Sequence, residues 1–391
     1  KADVVMETSE SPPNMSHPLE SLKNCSFHES CINITEEAPI KLALPLNGYA
    51  MPFLLVITIV ANTLIIVVLS KQHMRTSTNI VLMAMAISDV FTLLFPAPWL
   101  IYMYTFGNHY KPLYPVAACY AWNIMNEVLP NLFHTASIWL TVALAVQRYI
   151  YVCHAPVART WCTVPRVAKA IGYIFVLALM HQSTRFCDRS FHRIEIEWNG
   201  GVSDACSRDH SWWIVNVVTI DIYYNIYYWF RVAFVHLIPC ISLVVLNLLL
   251  FSALKDAQKK RKSLFKGSLT MECKKQRDSN CTTLMLIVVV TVFLLVEIPV
   301  AVVTFLHIIS SSFTAILDYE VANSLIQVTN FFIILSYPIN FAIYCGMSRQ
   351  FRQTFRDLFF QEPVPVKKEI PGSSRQSIAN GPRTFTNETI L

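Results

Sequence analysis

The chain has 391 residues, a net charge of +6, 54% apolar residues and only 14% charged ones. Globular chains carry about 25% charged residues, so a water-facing surface for several soluble domains cannot be assembled from this composition, and the apolar excess must face lipid. Nine glycines exclude collagen-like and Gly-rich classes, and eleven scattered cysteines show no zinc spacing. The basic residues sit in short segments between apolar runs, which argues against nucleic-acid binding.

Residues 1–45 are polar and hold no apolar stretch of the signal-peptide kind. Three N-x-S/T sequons, at Asn14, Asn24 and Asn33, fall in this short tail, and we expect it to be glycosylated and extracellular. Seven apolar segments follow, near 48–70, 79–104, 119–151, 165–185, 225–254, 280–309 and 321–346. Each supplies the ~20 residues a helix needs to cross the hydrocarbon core. Helices are required because a spanning backbone must satisfy its own hydrogen bonds. The fourth is the weakest, so six spans is the rival count. With the N-terminus outside, the inner loops carry 15 Lys/Arg and the outer loops 5, the asymmetry expected of cytoplasmic loops. Seven spans satisfies both this bias and the sequons.

Residues 347–360 then read as an amphipathic helix. Phe351, Phe355, Leu358 and Phe359 lie on one face with Arg349, Arg352 and Arg356 beside them, a pattern that lies in the anionic inner interface. Residues 361–391 read as a disordered cytoplasmic tail. The division is thus a tail (1–45), an all-α seven-helix transmembrane bundle (46–346), an interfacial helix (347–360) and a second tail (361–391). The localisation is the plasma membrane, multi-pass.

No H-E-x-x-H, G-x-S-x-G or P-loop occurs, so no enzymatic chemistry is indicated. Polar groups within the spans are the next signal, since each is expensive in lipid. Asp89, with Ser137, Ser336 and Asn340 at matching depths, suits either a small cation such as Na⁺ or an ion-free polar network. Glu127 and Glu297 lie deep and need partners, for which Arg231 and His134 are candidates. Arg148 ends the third span, either snorkelling to headgroups or serving a switch. Aromatics crowd the second outer loop and the top of the fifth span, among them Trp198, Trp212, Trp213, Tyr227 and Tyr228. They read as an interfacial belt or, with the nearby acids and His307, as a vestibule for a peptide with apolar anchors.

Five cysteines lie on the outer, oxidising side. We expect a Cys119–Cys206 bridge from the top of the third span to the long loop. Cys25–Cys31 would close a ring in the tail, with Cys187 left over. Prolines at 96 and 98, 239, 299 and 338 interrupt four spans and favour kinks. Pro299, beside Glu297, is the expected hinge of the sixth.

Asn62, Asp89, Gln147-Arg148-Tyr149, Pro239, Phe293 with Pro299, and Asn340 with Tyr344 stand where span markers stand in another family. On these residues the chain, over 45–360, resembles the rhodopsin-class G-protein-coupled receptors. Departures fall at Gln147 (an acid in the family), Glu297 (a tryptophan), Phe341 (a proline) and Asn247 (a tyrosine). The runs at 147–156 (Q-R-Y-I-Y-V-C-H-A-P), 105–112 (T-F-G-N-H-Y-K-P) and 336–341 (S-Y-P-I-N-F) resemble the insect receptors for myoinhibitory-type peptides. That resemblance implies short C-terminally amidated ligands with two spaced tryptophans, and coupling to the inhibitory Gi/o class. It implies switch roles for Gln147, Arg148, Tyr149, Phe293, Pro299, Asn340 and Tyr344, and no cofactor beyond an allosteric Na⁺. The terminal Thr389-Ile390-Leu391 fits a PDZ groove, and Ser/Thr residues of the tail are phosphorylation candidates that would recruit arrestin. Rival expectations are a receptor for another amidated peptide, such as an FMRFamide-like or myosuppressin-like one, and an ion-coupled transporter using Asp89, Glu127 and Glu297.

Overall fold

The computed structural model describes residues 39–264, 271–312 and 318–360. The tail sequons, Cys25, Cys31 and the C-terminal motifs lie outside the described residues. Seven helices are long and apolar enough to cross a membrane: α1 (Ile40–Leu69), α2 (Ser77–Thr105), α3 (Val116–Cys153), α4 (Val164–Phe186), α5 (Ile220–Asp256), α6 (Thr283–Ser310) and α7 (Glu320–Met347). Their hydropathy explains their existence: only a helix keeps every backbone N–H and C=O paired without water. α4, the weakest segment in the sequence, is also the most peripheral, with 11% of its apolar window buried against 67% for α3.

Several ends differ from expectation. α1 begins at Ile40, so the last residues of the presumed tail are helical. The third basic loop is largely helix, because the helix of α5 continues to Leu264 and that of α6 begins at Met271. A two-turn helix, Ala155–Trp161, follows α3.

Proline shapes the bundle by two routes. Wide π-turns at Leu44–Ala50, Ile124–Val128 and Val232–Leu237 immediately precede Pro52, Pro130 and Pro239. A wider turn relieves the clash between a proline ring and the carbonyl four residues before it. α2 and α7 instead break at Pro96 and Pro338, whereas Pro299 lies inside a continuous helix. Gly48 allows a close approach where α1 meets α2: a Cβ there would lie 3.2 Å from the Tyr104 carbonyl oxygen, a tight contact.

Between α4 and α5 the chain forms an antiparallel hairpin, β1 (Arg189–Trp198) and β2 (Gly201–His210). Its turn residues Asn199 and Gly200 have φ of 52° and 78°, the conformation that two-residue hairpin turns demand. A Cys119–Cys206 disulfide ties β2 to the start of α3, and Phe191 packs beside it in a small core. This is the hairpin end. At the opposite end a larger core draws Ile65, Leu82, Leu144, Leu286 and Tyr344 around Phe351. Phe351 belongs to α8 (Arg349–Phe359), capped by Ser348, whose hydroxyl accepts from the Phe351 N–H. On α8, Phe355 and Leu358 pack against that core, while Phe359 is exposed.

Candidate functional site

Three polar clusters occupy the bundle. At the hairpin end, Arg185 of α4 is the hub. Its Nη2 lies 2.9 Å from Glu127 Oε2 on α3, and its Nη1 donates to Asp188 at the foot of β1. The guanidinium also sits over the Tyr227 ring. Asp188 is wholly buried and accepts from the Tyr224 hydroxyl of α5 at 3.3 Å. Burial raises its carboxyl above the usual range, opposed by Arg185 and Arg189. His210 of β2 contacts Tyr224 and Arg189, and burial, aided by Arg189, lowers its pKa. Glu127 therefore pairs with Arg185 and not with Arg231, which donates to Asn131 at 2.8 Å.

The aromatic residues divide between these settings. Tyr227 is buried and donates to Gln182 at 2.8 Å, so it faces inward and is not part of a lipid belt. Tyr228 stacks on Tyr224. Trp213 Nε1 donates to the Cys187 carbonyl and packs on Tyr223. Trp212 is 73% exposed. Trp198 sits beside the hairpin turn and stacks on Tyr110, apart from the Arg185 hub. His307 is half-buried on α6, about three turns beyond Glu297. Cys187 is exposed and free among the described residues.

Mid-bundle, Glu297 of α6 is 2% exposed. Its Oε1 lies 3.0 Å from His134 Nε2 on α3 and its Oε2 3.4 Å from His236 Nδ1 on α5; these are ion-pair distances, and His134 Nε2, His236 Nδ1 and Glu297 Oε2 have no hydrogen-bond partner among the described residues. His134 also meets the Tyr337 hydroxyl of α7 at 3.3 Å. The same cavity is lined by Asp89, Ser137, Phe293, Ser336 and Asn340. Ser137 donates to Asp89 at 2.8 Å, whereas the Ser336 hydroxyl donates to the Ile333 carbonyl of its own helix. Asp89 with these hydroxyl and amide groups is a hard-oxygen set of the kind that suits a small cation. No cluster of three His, Cys, Asp or Glu side chains among the described residues could hold a metal ion.

At the opposite end, Gln147 is buried, and neither atom of its amide has a partner among the described residues; nor has Arg148 Nε. Arg148 lies over the Tyr151 ring, and Tyr151 meets Ser77 Oγ at 2.8 Å. Tyr149 packs beside Leu250, Leu254 and Ile287, joining α3, α5 and α6. Asn247 donates to Thr291. Tyr344 is buried in the core.

Sequence reasoning missed Arg185, Asp188, Gln182 and His236. In the sequence Arg185 reads only as an outer-loop charge, and His236 hides in an apolar run. Their pairing is between helices and leaves no local spacing.

Comparison with known proteins agrees with this architecture. A family model described as "Serpentine type 7TM GPCR chemoreceptor Srw" matches residues 49–362. The sex peptide receptor of Drosophila melanogaster is 58% identical over 361 residues, covering 92% of this chain and 82% of the fly protein. Sex peptide receptor-related protein 2 of Caenorhabditis elegans is 34% identical over 81% of this chain and 72% of its own length. The FMRFamide receptor of Drosophila melanogaster is 27% identical over 78% and 52%. With seven spans in place, the chain belongs to the seven-transmembrane G-protein-coupled receptors, as a multi-pass protein of the plasma membrane in the same group as the fly sex peptide receptor.

Proposed function

We propose that this chain is a neuropeptide receptor with its N-terminus and hairpin outside. It binds short C-terminally amidated myoinhibitory-type peptides, and sex peptide, at the hairpin end, and it activates inhibitory Gi/o proteins, lowering cyclic AMP. The observation that carries this is the 58% identity to the Drosophila sex peptide receptor over 361 residues. The chemistry of the hairpin end supports it. Tyr224, Tyr228 and Trp213, each partly exposed, offer flat apolar faces for tryptophan anchors, and Glu127, Asn131 and Arg231 offer hydrogen bonds to a peptide backbone and terminal amide.

Binding shifts a two-state equilibrium by the ligand's differential affinity for the two conformers. In the active one, α6 swings away from α3 at the opposite end. Gln147, Arg148 and Tyr149 then line the pocket that receives the G protein. Phosphorylated tail residues recruit arrestin, the terminal carboxylate engages a PDZ groove, and Na⁺ at Asp89 favours the resting conformer. A second reading, an FMRFamide-like ligand, is supported by the 27% match to the fly FMRFamide receptor.

The test is a cyclic AMP assay in cells expressing the chain, challenged with amidated peptides. A fall in cyclic AMP with twin-tryptophan peptides alone is the expected result. A response to FMRFamide-like peptides alone supports the second reading. Silence to every peptide, with verified surface expression, removes both.

A further inference from the structure

Glu297 is a carboxylate two residues from a helix-interior proline, and the two histidines that face it come from two other spans. A buried carboxylate without a partner is strongly destabilised, so Glu297 draws α6 toward whatever carries its partners. Here those are His134 on α3 and His236 on α5, at 3.0 and 3.4 Å. Pro299 lacks the N–H that would bond the Leu295 carbonyl, which weakens the α6 ladder beside the contact. His236 stands in the π-turn Val232–Leu237, a second place where a helix departs from α geometry. His134 is fixed from its far side by the Tyr337 hydroxyl. Asp89, the other acid of this cavity, is engaged by Ser137.

We propose that the His134–Glu297–His236 contact is a three-helix clamp that positions α6 against α3 and α5, that opening it is a step of activation, and that Glu297 thereby sets the level of signalling without ligand. Glu297 is on this account a positioning residue. It acts through α6 and need not touch the peptide.

The inference rests on coupling to G proteins, so the readout is ligand-free nucleotide exchange on a panel of purified heterotrimers, using membranes with matched amounts of full-length receptor. Basal exchange needs no peptide, so the result is independent of ligand identity. Glu297→Ala is expected to raise it about fivefold or more, the range of a coupling free energy between two conformers. Glu297→Gln keeps the size and an acceptor oxygen, and raises it less. His134→Ala and His236→Ala each remove one arm and give intermediate rises. Adding either to Glu297→Ala gives no further rise, because residues acting as one unit are not additive.

A purely structural role would instead lower surface expression and maximal response together, with no rise in basal exchange. Unchanged basal exchange in Glu297→Ala, with an intact peptide response, overturns the clamp. If Glu297→Ala fails to reach the membrane, the histidine variants decide: a rise in either supports the clamp, and no rise in both overturns it. Failure of the ligand assignment looks different, since the unmodified receptor would then ignore every peptide whatever its clamp variants do.

Discussion

Glu127 and Glu297 are both glutamates inside the bundle, yet the structure holds them in opposite ways. Glu127 retains some exposure and meets Arg185, a permanent cation that also serves Asp188 and stacks on Tyr227. The disulfide ties β2 to the start of α3, which carries Glu127, and Asp188 stands at the foot of β1. Glu297 is sealed in, and its partners are two histidines on different spans, next to a proline and a π-turn. The first arrangement is a frame, in which many contacts converge on a fixed charge. The second is a joint, in which a few contacts hold together helices that are locally weakened.

Perturbing the frame should lower stability and binding without raising basal signalling. The largest effect is expected from Cys119→Ser or Cys206→Ser. Either one opens a crosslink spanning 87 residues, which should cost about 2–5 kcal/mol, read as a lower thermal midpoint in detergent and lost peptide binding. Next comes Arg185→Ala. It takes the nearest cation from Asp188, which has no exposure but keeps the Tyr224 hydroxyl and nearby Arg189, so the cost should stay below about 3 kcal/mol, the lower end for a fully broken buried pair. Adding Asp188→Asn should recover part of the loss. Glu127→Gln should cost less than about 1 kcal/mol, because that pair is partly exposed. If it raised basal exchange as Glu297 variants are expected to, the contrast between frame and joint would fail.

The smallest effect is a pH dependence at His210. Burial lowers its pKa in the folded protein below the ordinary 6.5. Its contribution to stability is therefore present above the unfolded value and lost as pH falls through and below 6.5. Hydrogen exchange in β1 and β2, corrected for intrinsic rates, should quicken between pH 7 and 5. His210→Gln should flatten that trend.

The spans were legible because hydropathy is written locally: the segment expected at 79–104 is α2, Ser77–Thr105, and that at 321–346 is α7, Glu320–Met347. The hairpin was legible in principle. Ile194, Ile196 and Trp198 alternate with charged residues ahead of Asn199-Gly200, a strong hairpin signal obscured by the aromatic crowding around it. Glu297's tie to His134 could be anticipated as a buried acid needing a partner. Its second arm, His236, and Glu127's tie to Arg185 could not, because they depend on how α3, α4, α5 and α6 face one another. α1 extends back to Ile40, ahead of the start expected near 48, and a π-turn and a close approach to α2 accommodate Pro45 and Gly48 there.

The most direct test of a fixed frame driving a moving joint is the distance between spin labels at Cys153, exposed at the end of α3, and Leu284, exposed on α6, with the other free cysteines replaced. Saturating twin-tryptophan amidated peptide should lengthen this distance, and Glu297→Ala should lengthen it in part without peptide. An unchanged distance under peptide that nonetheless stimulates nucleotide exchange would contradict the swing of α6.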